Sequence, residues 1–330
     1  MALSKDSIVE QSKSAYNQWA AQWREQAKTH SKYAMKPLTD FVNSGVGKSI
    51  VLCATGYSLE QNIEVLKKHQ NEVDIMCCDK SLGILIDNDI TPDFCVVCDA
   101  NVSYEKYMEP WAHDVQNTTL FMNVCGNPDW TKKGNWADRY FFVNEDSIQS
   151  EIEFGKLSQC PNMIPAGTNV SNAMLIFVTQ CSNKGRQNFF GYDKIILLGF
   201  DYCWHPDGNY YAFDYDGGGK RYYMKHVMAV DSSGTMVYTS NNLLFSAQWA
   251  EGYVKNFQLP IVNCSDHSML GVAKHGKLED HIGYKYKPEH RNHVMDLTKK
   301  LMSMRKEIKD IEGYLQNIGK EHWRQFKLSL

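Results

Sequence analysis

Short, continuous apolar runs of strand length recur along the chain, and they constrain its fold more than any other feature. They are Lys48–Ala54, Val73–Cys78, Phe94–Cys98, Thr118–Val124, Arg139–Val143, Lys194–Gly199 and Pro260–Cys264. Strands that are apolar throughout must be covered on both faces. Helical patterns supply the cover: one from the Gly56 turn to about Gln70, then Ser81–Asn88, Val170–Gln180 and Asn242–Asn256. This alternation predicts an α/β chain with a mainly parallel sheet and helices on both faces.

Both ends differ from the middle. Residues 5–35 read as a helix rich in aromatic and amide side chains, with Ile8, Tyr16, Trp19 and Trp23 near one face. In the last segment Val294, Leu297, Leu301, Met304, Ile308, Ile311, Leu315 and Ile318 alternate spacings of three and four. That is the a/d seam of a coiled coil; it predicts helix–helix pairing between subunits in a homo-oligomer, the alternative being a long helix packed on its own domain or on the N-terminal helix. The expected organisation is an N-terminal helical segment over 1–44, an α/β domain over 45–285 and a coiled-coil-like helix over 286–330. A net charge of −3 argues against general nucleic-acid binding. The longest apolar runs are strand-sized, so no membrane span is expected. The N-terminus lacks the apolar stretch of a signal peptide, which leads us to expect a cytoplasmic protein. Cys53, Cys77, Cys78, Cys95 and Cys98 fall inside strand runs, as reduced core thiols do. The CxxC pair Cys95/Cys98 points to opposite faces of a strand and has no second pair to complete a metal site, so no protein-held metal is expected.

The strand ends carry the polar chemistry. Ala54-Thr55-Gly56-Tyr57-Ser58 turns from the first strand into a helix, where Gly56 allows close backbone approach and Ser58 with the helix N-terminus offers donors to a phosphate. The next two strands end in Asp79 and Asp99, and a later one in Gly199-Phe200-Asp201. Gly167-Thr168-Asn169 precedes a helix and suits a second phosphate contact. Gly45-Val46-Gly47-Lys48-Ser49 imitates a P-loop, but it lacks the first glycine and precedes its strand instead of following it. Residues 202–240, aromatic and glycine-bearing, read as a long irregular segment that covers the site as a lid.

The series TGYSL, DKSL, TPDFCVVCDA, GTNVSNA, GYDKIILLGFDYCWHPDGNYYAFD and GTMVYTSNNLLFSAQWAE resembles the MptE-like domain shared with motility-associated-factor glycosyltransferases. Over Gly191–Asp214 it is also similar to bacterial CMP-sialic-acid-dependent sialyltransferases. The resemblance covers roughly residues 48–270, with both terminal helices outside it, and implies a Rossmann-like nucleotide-binding transferase domain. Gly56 and Ser58 match the nucleotide turn, with Tyr57 where proline is usual. Asp79 matches a strand-end residue that meets the nucleotide, and Thr168 and Asn169 the phosphate-side helix. Tyr211 matches a tyrosine that stabilises the donor phosphate, whereas its companion tyrosine falls near Cys203. The base histidine has no direct equivalent; His226 is nearest.

Two activities follow as expectations. A glycosyltransferase would take a nucleotide-activated sugar, of the CMP-nonulosonic acid type, with His226 or His205 as base and Tyr211 beside the phosphate; it requires no cofactor. Gly56, Ser58, Asp79, Asp99, Gly167, Thr168, Asn169 and Asp201 would bind the nucleotide, and the acceptor is not specified. An MptE-like diphosphokinase would instead move pyrophosphate from ATP to a hydroxymethyl group with Mg²⁺ held by Asp99, Asp201 or Asp214. Asp214-Tyr215-Asp216 also fits the short DxD pattern of metal-dependent sugar transferases. A non-catalytic nucleotide-binding assembly protein is the third alternative.

Overall fold

The computed structural model describes residues 5–145, 149–165, 167–179, 189–205, 208–215, 227–257 and 259–282, together with Met304; of these, side chains are described from Tyr16 onward except at 145 and 149–152. Residues 1–285 form one compact unit and 286–330 another. The a/d seam expected over Val294–Ile318 lies outside the described residues, apart from Met304.

The strands are β1 (Ser49–Cys53), β2 (Asp74–Cys78), β3 (Phe94–Val97), β4 (Thr119–Asn123), β5 (Asp138–Glu145), β6 (Met163–Pro165), β7 (Lys194–Leu198), β8 (Val227–Val230), β9 (Met236–Thr239), β10 (Ile261–Asn263) and β11 (Lys274–His275). The helices are α1 (Lys5–His30), α2 (Tyr57–His69), α3 (Asp79–Asp87), α4 (Tyr104–Tyr107), α5 (Pro128–Lys133), α6 (Gln149–Ser158), α7 (Val170–Thr179) and α8 (Asn241–Phe257). Nine strands form one sheet in the order β11-β10-β7-β1-β2-β3-β4-β5-β6. Every neighbouring pair in it is parallel, with Ile50 opposite Asp74 on one side of β1 and Ser49 opposite Lys194 on the other. The sheet is Rossmann-like and parallel, as the apolar runs require.

Alternation along each strand feeds two cores. Val51 and Cys53 of β1 join Ile196 and Leu198 of β7 on one face, under α2 and α3. Ile50 and Leu52 join Ile195 and Leu197 on the other, under α7 and α8. The helices fit their faces. In α2, Leu59, Ile63 and Leu66 make a buried stripe, and Lys67, Lys68 and His69 complement the negative end of the helix. Every residue of α7 from Asn172 to Thr179 is buried. Phe177 touches both Phe121 and Phe142, with centroids at 4.9 and 4.7 Å. Truncating such a ring to alanine costs about 3–5 kcal/mol.

α1 packs on α6, and Arg24 pairs with Glu153 at 2.7 Å. His30 at its end is fully buried between the Val124 carbonyl (2.8 Å) and the Thr131 hydroxyl (3.2 Å). The segment expected to be irregular holds an antiparallel hairpin, β8–β9, that pairs Val227 with Thr239. Its turn is organised by Asp231, which accepts from the Ser233 and Thr235 amides at 2.9 and 2.8 Å, with Gly234 at φ +87°. No helix among the described residues is long and apolar enough to cross a membrane.

Candidate active site

The sheet grows from β1 through β2 to β6, then returns with β7 on the other side of β1. Such a reversal opens a crevice at the carboxyl ends of the two central strands. A cleft of about 410 Å³ lies there. Thr55 and Gly56 line it after β1, Asp79 and Lys80 after β2, and Cys98 and Asp99 after β3. Gly167 to Ser171, at the start of α7, form the facing wall, with Tyr202, Tyr210 and Tyr211 beside them.

The seam between β1 and β7 admits no side chain. A Cβ on Gly56 would stand 2.5 Å from both the Gly199 carbonyl and the Asp201 carboxylate, and one on Gly199 (φ +74°) 2.5 Å from the Ala54 carbonyl. Both glycines are required by this closure itself. Beneath it, Ser58 donates its hydroxyl to Asp201 Oδ1 and its N–H to Oδ2, the latter at 2.9 Å. Ser58 and Asp201 are buried and face each other, so the structure does not bring their side chains into the cleft. Burial raises the Asp201 pKa, and the two bonds from Ser58 act against that rise. The group seated on the α2 N-terminus is therefore the Asp201 carboxyl, where the sequence led us to expect a phosphate.

The α7 terminus is different. Asn169 caps the helix by accepting from the Asn172 N–H at 2.9 Å. Thr168 is held by Asn172 at 2.8 Å and Ser246 at 3.0 Å. The amides of Val170 and Ser171 precede the first intrahelical bond, from Ala173 N–H to the Asn169 carbonyl at 3.0 Å. They belong to cleft-lining residues, a ready anion site. Gly167 permits this wall to close, because a Cβ there would meet the Ala173 nitrogen at 2.8 Å.

Lys80 is the one lysine or arginine among the described lining residues, and sequence reading did not single it out. Its ammonium donates to the Tyr211 hydroxyl at 3.0 Å and lies over the Tyr107 and Tyr211 rings at 5.5 and 5.3 Å. Burial opposes its charge, but Tyr211 and then Asp79 outweigh that effect and hold its pKa above the ordinary range. The signal was its position, directly after a strand-end aspartate at a helix start. Burial also lifts the Asp79 carboxyl to about 6, against the pull of Lys80, whose N–H it accepts at 2.7 Å. Asp99 is exposed, and its Oδ1 accepts from the Asn101 N–H at 2.8 Å. Cys98 is a lining thiol raised well above its usual pKa by burial.

Gly56, Asp79, Asp99, Gly167, Thr168, Asn169 and Tyr211 are thus gathered on one cleft. His205 is not among its lining; its ring lies against Tyr57 with centroids 3.5 Å apart. His226 and Asp216 lie outside the described residues, and Asp214 is exposed away from the cleft lining. Lys48 of the P-loop imitation pairs with Asp74 at 2.7 Å before β1, at the opposite end of the strand from the cleft. No group of three potential metal-ligating side chains occurs among the described residues.

The family model described as 6-hydroxymethylpterin diphosphokinase MptE-like matches residues 22–207, more than half of the 330-residue chain. The chain belongs to the MptE-like family. The match begins inside α1, so part of that helix, expected outside the resemblance, lies within the MptE-like region. No curated protein matches. Among solved structures, the MAf glycosyltransferase from Magnetospirillum magneticum AMB-1 is similar at a TM-score of 0.59 and 16% identity, over 84% of this chain and 41% of that one. At that identity the likeness is one of fold, and the chain spans about two-fifths of that glycosyltransferase's length. The activities named for the MptE-like family and for this neighbour are both group transfers from an activated donor.

Proposed function

We propose that the chain is a nucleotide-dependent transferase that moves a glycosyl group from a nucleotide-activated sugar to a hydroxyl acceptor. The observation that carries this reading is the cleft at the β1/β7 reversal, where the amide-bearing start of α7 and the Lys80 ammonium converge on one space. A departing nucleotide phosphate gathers negative charge as its bond to the sugar breaks. Fixed amide dipoles and a partly buried ammonium stabilise that charge without reorganising. Lys80 uses one N–H on Tyr211, which fixes the direction of the ammonium. The sugar and nucleotide would lie between Gly56 and Thr168, and this transfer needs no metal.

The family's description supports a second reading, transfer of pyrophosphate from ATP to a hydroxymethyl group. Asp79 and Asp99, both on the cleft, suit a Mg²⁺ that completes its shell with phosphate oxygens and water. When bound, the ion would screen the phosphates; Lys80 and α7 would still orient them.

Thermal shift with CMP, CTP, UDP, GDP and ATP, each with and without Mg²⁺, separates the readings. Stabilisation by a pyrimidine nucleotide without metal is expected for sugar transfer. Stabilisation by ATP only with Mg²⁺ would replace it by the kinase reading. Binding with no turnover of any nucleotide sugar would leave the assembly-protein alternative.

A further inference from the structure

We propose that a second cavity, under α1, is the acceptor subsite and takes a single hydroxyl-bearing pyranose ring. The proposal rests on the sugar-transfer reading above and adds where the acceptor lies and which group takes its proton.

The cavity measures about 280 Å³ and adjoins the nucleotide cleft, with which it shares Cys98, Asp99 and Asn144. A space of that size holds about one ring and its substituents. Its outer wall is Trp19 and Trp23, half-buried and one helical turn apart on the inward face of α1. Phe154 stands edge-on to Trp23 with centroids 6.0 Å apart, which fixes that indole. Asp99, Asn101, Asn123 and Asn144 give the rest of the lining its polar groups, beside Ala100 and Val143; Asn101 Oδ1 accepts from Gln22 at 3.0 Å and Asn123 Oδ1 from the Cys125 N–H at 2.8 Å. The Asn144 Oδ1 is buried without a hydrogen-bond partner, which leaves an unsatisfied acceptor just behind the lining that the two cavities share. Indole faces opposite amide groups suit a sugar, which presents C–H bonds on one side and hydroxyls on its rim. Two half-buried indoles beside several side-chain amides are more than core packing calls for.

Asp99 stands where the two cavities meet. Its Oδ1 is occupied by the Asn101 N–H, which orients the carboxylate. The acceptor hydroxyl gives its proton to Asp99 Oδ2 as its oxygen forms the bond to the donor's anomeric carbon. The bond from that carbon to the nucleotide phosphate breaks, and its electron pair leaves with the phosphate oxygen toward Lys80 and the α7 amides. Asp99 is then the base that no described histidine supplies.

The test uses the full chain. Saturation-transfer NMR follows a panel of methyl pyranosides, with 6-hydroxymethylpterin alongside, on protein saturated with CMP; calorimetry reads CMP separately. A pyranoside signal is expected, reduced about tenfold in both Trp19→Ala and the cavity-filling Asn101→Trp, while CMP affinity stays within about twofold. In Asp99→Asn the pyranoside should still bind, with kcat for transfer lowered about 100-fold or more and KM for the pyranoside within about threefold of wild type. A pyranoside signal unchanged in both cavity variants overturns the subsite, as does a signal from the pterin alone. Failure of CMP, UDP and GDP alike to bind the wild type would strike the proposed function instead, and the two readouts keep these failures apart.

Discussion

Ser58 and Asp201 lock the centre of the sheet to the mouth of the site: the serine hydroxyl and N–H grip the two oxygens of one buried carboxylate, and Gly199 N–H donates back to the same hydroxyl at 3.1 Å. This junction ties α2 to the ends of β1 and β7. Removing the hydroxyl leaves Asp201 Oδ1 buried with its donor gone. Ser58→Ala is expected to destabilise the fold by about 1–3 kcal/mol in chemical denaturation. Because the pair lies beneath the cleft and not in it, nucleotide affinity of the folded variant should stay within about threefold. A loss of affinity with unchanged stability would place Ser58 on the ligand after all.

Lys80 should carry much of the anion recognition. Lys80→Met keeps the length of the side chain and removes the charge. Calorimetry should show nucleotide binding weakened about tenfold or more, with the salt dependence of the remaining binding reduced. Equal affinities in wild type and variant would assign the phosphate to α7 alone.

β1 to β5, β7 and β10 were legible because each lies in an apolar run, as strands covered on both faces do; the edge strands β6 and β11 were not, the latter being Lys274–His275 with both residues exposed. The positions of Gly56, Asp79, Asp99 and Thr168 followed from the same logic, since strand ends and helix starts must meet at the reversal of strand order. Which strand-end group faces a ligand was not legible. Ser58 and Asp201 satisfy each other, a pairing across 143 positions that no local pattern records. Lys80 was hidden because a lysine in a helix's first turn is ordinarily solvated; the approach of Tyr107 and Tyr211 from distant segments encloses it. The β8–β9 hairpin escaped because its two strands are short and its turn rests on the Asp231 carboxylate instead of a two-residue glycine turn.

Asp79 gives the cleft its own pH dependence. Its carboxyl is lifted to about 6 by burial, so above that value an anionic ligand meets a second negative charge. Nucleotide affinity should therefore rise as pH falls from about 7.5 to about 5.5, beyond the change the phosphate's own titration produces. Asp79→Asn should bind as the protonated wild type does and follow the phosphate titration alone. Parallel pH profiles for the two proteins, measured by calorimetry, would remove Asp79 from the ligand's surroundings.

His30 tests how firmly α1 is held to the sheet. Burial depresses its pKa from 6.5 to about 4, partly opposed by the Val124 carbonyl, so the ring is neutral in the native state at neutral pH. Between about 6.5 and about 4 the unfolded chain binds a proton that the folded chain refuses, and stability therefore falls as pH falls through this window. The contribution is of order 3 kcal/mol, complete above about 6.5 and lost by about 4. Asp79 and Asp93, both raised to about 6 by burial, act with the opposite sign over part of the same range, so the wild-type curve alone does not isolate the histidine. His30→Asn keeps a donor for the Val124 carbonyl and removes the titration. The advantage of wild type over this variant in Tm should be greatest near pH 7.5 and shrink by several degrees on the way to pH 4.5, because only the wild type must refuse the proton. Two melting curves that stay parallel across that range would mean that α1 lets His30 reach water before the rest of the fold gives way.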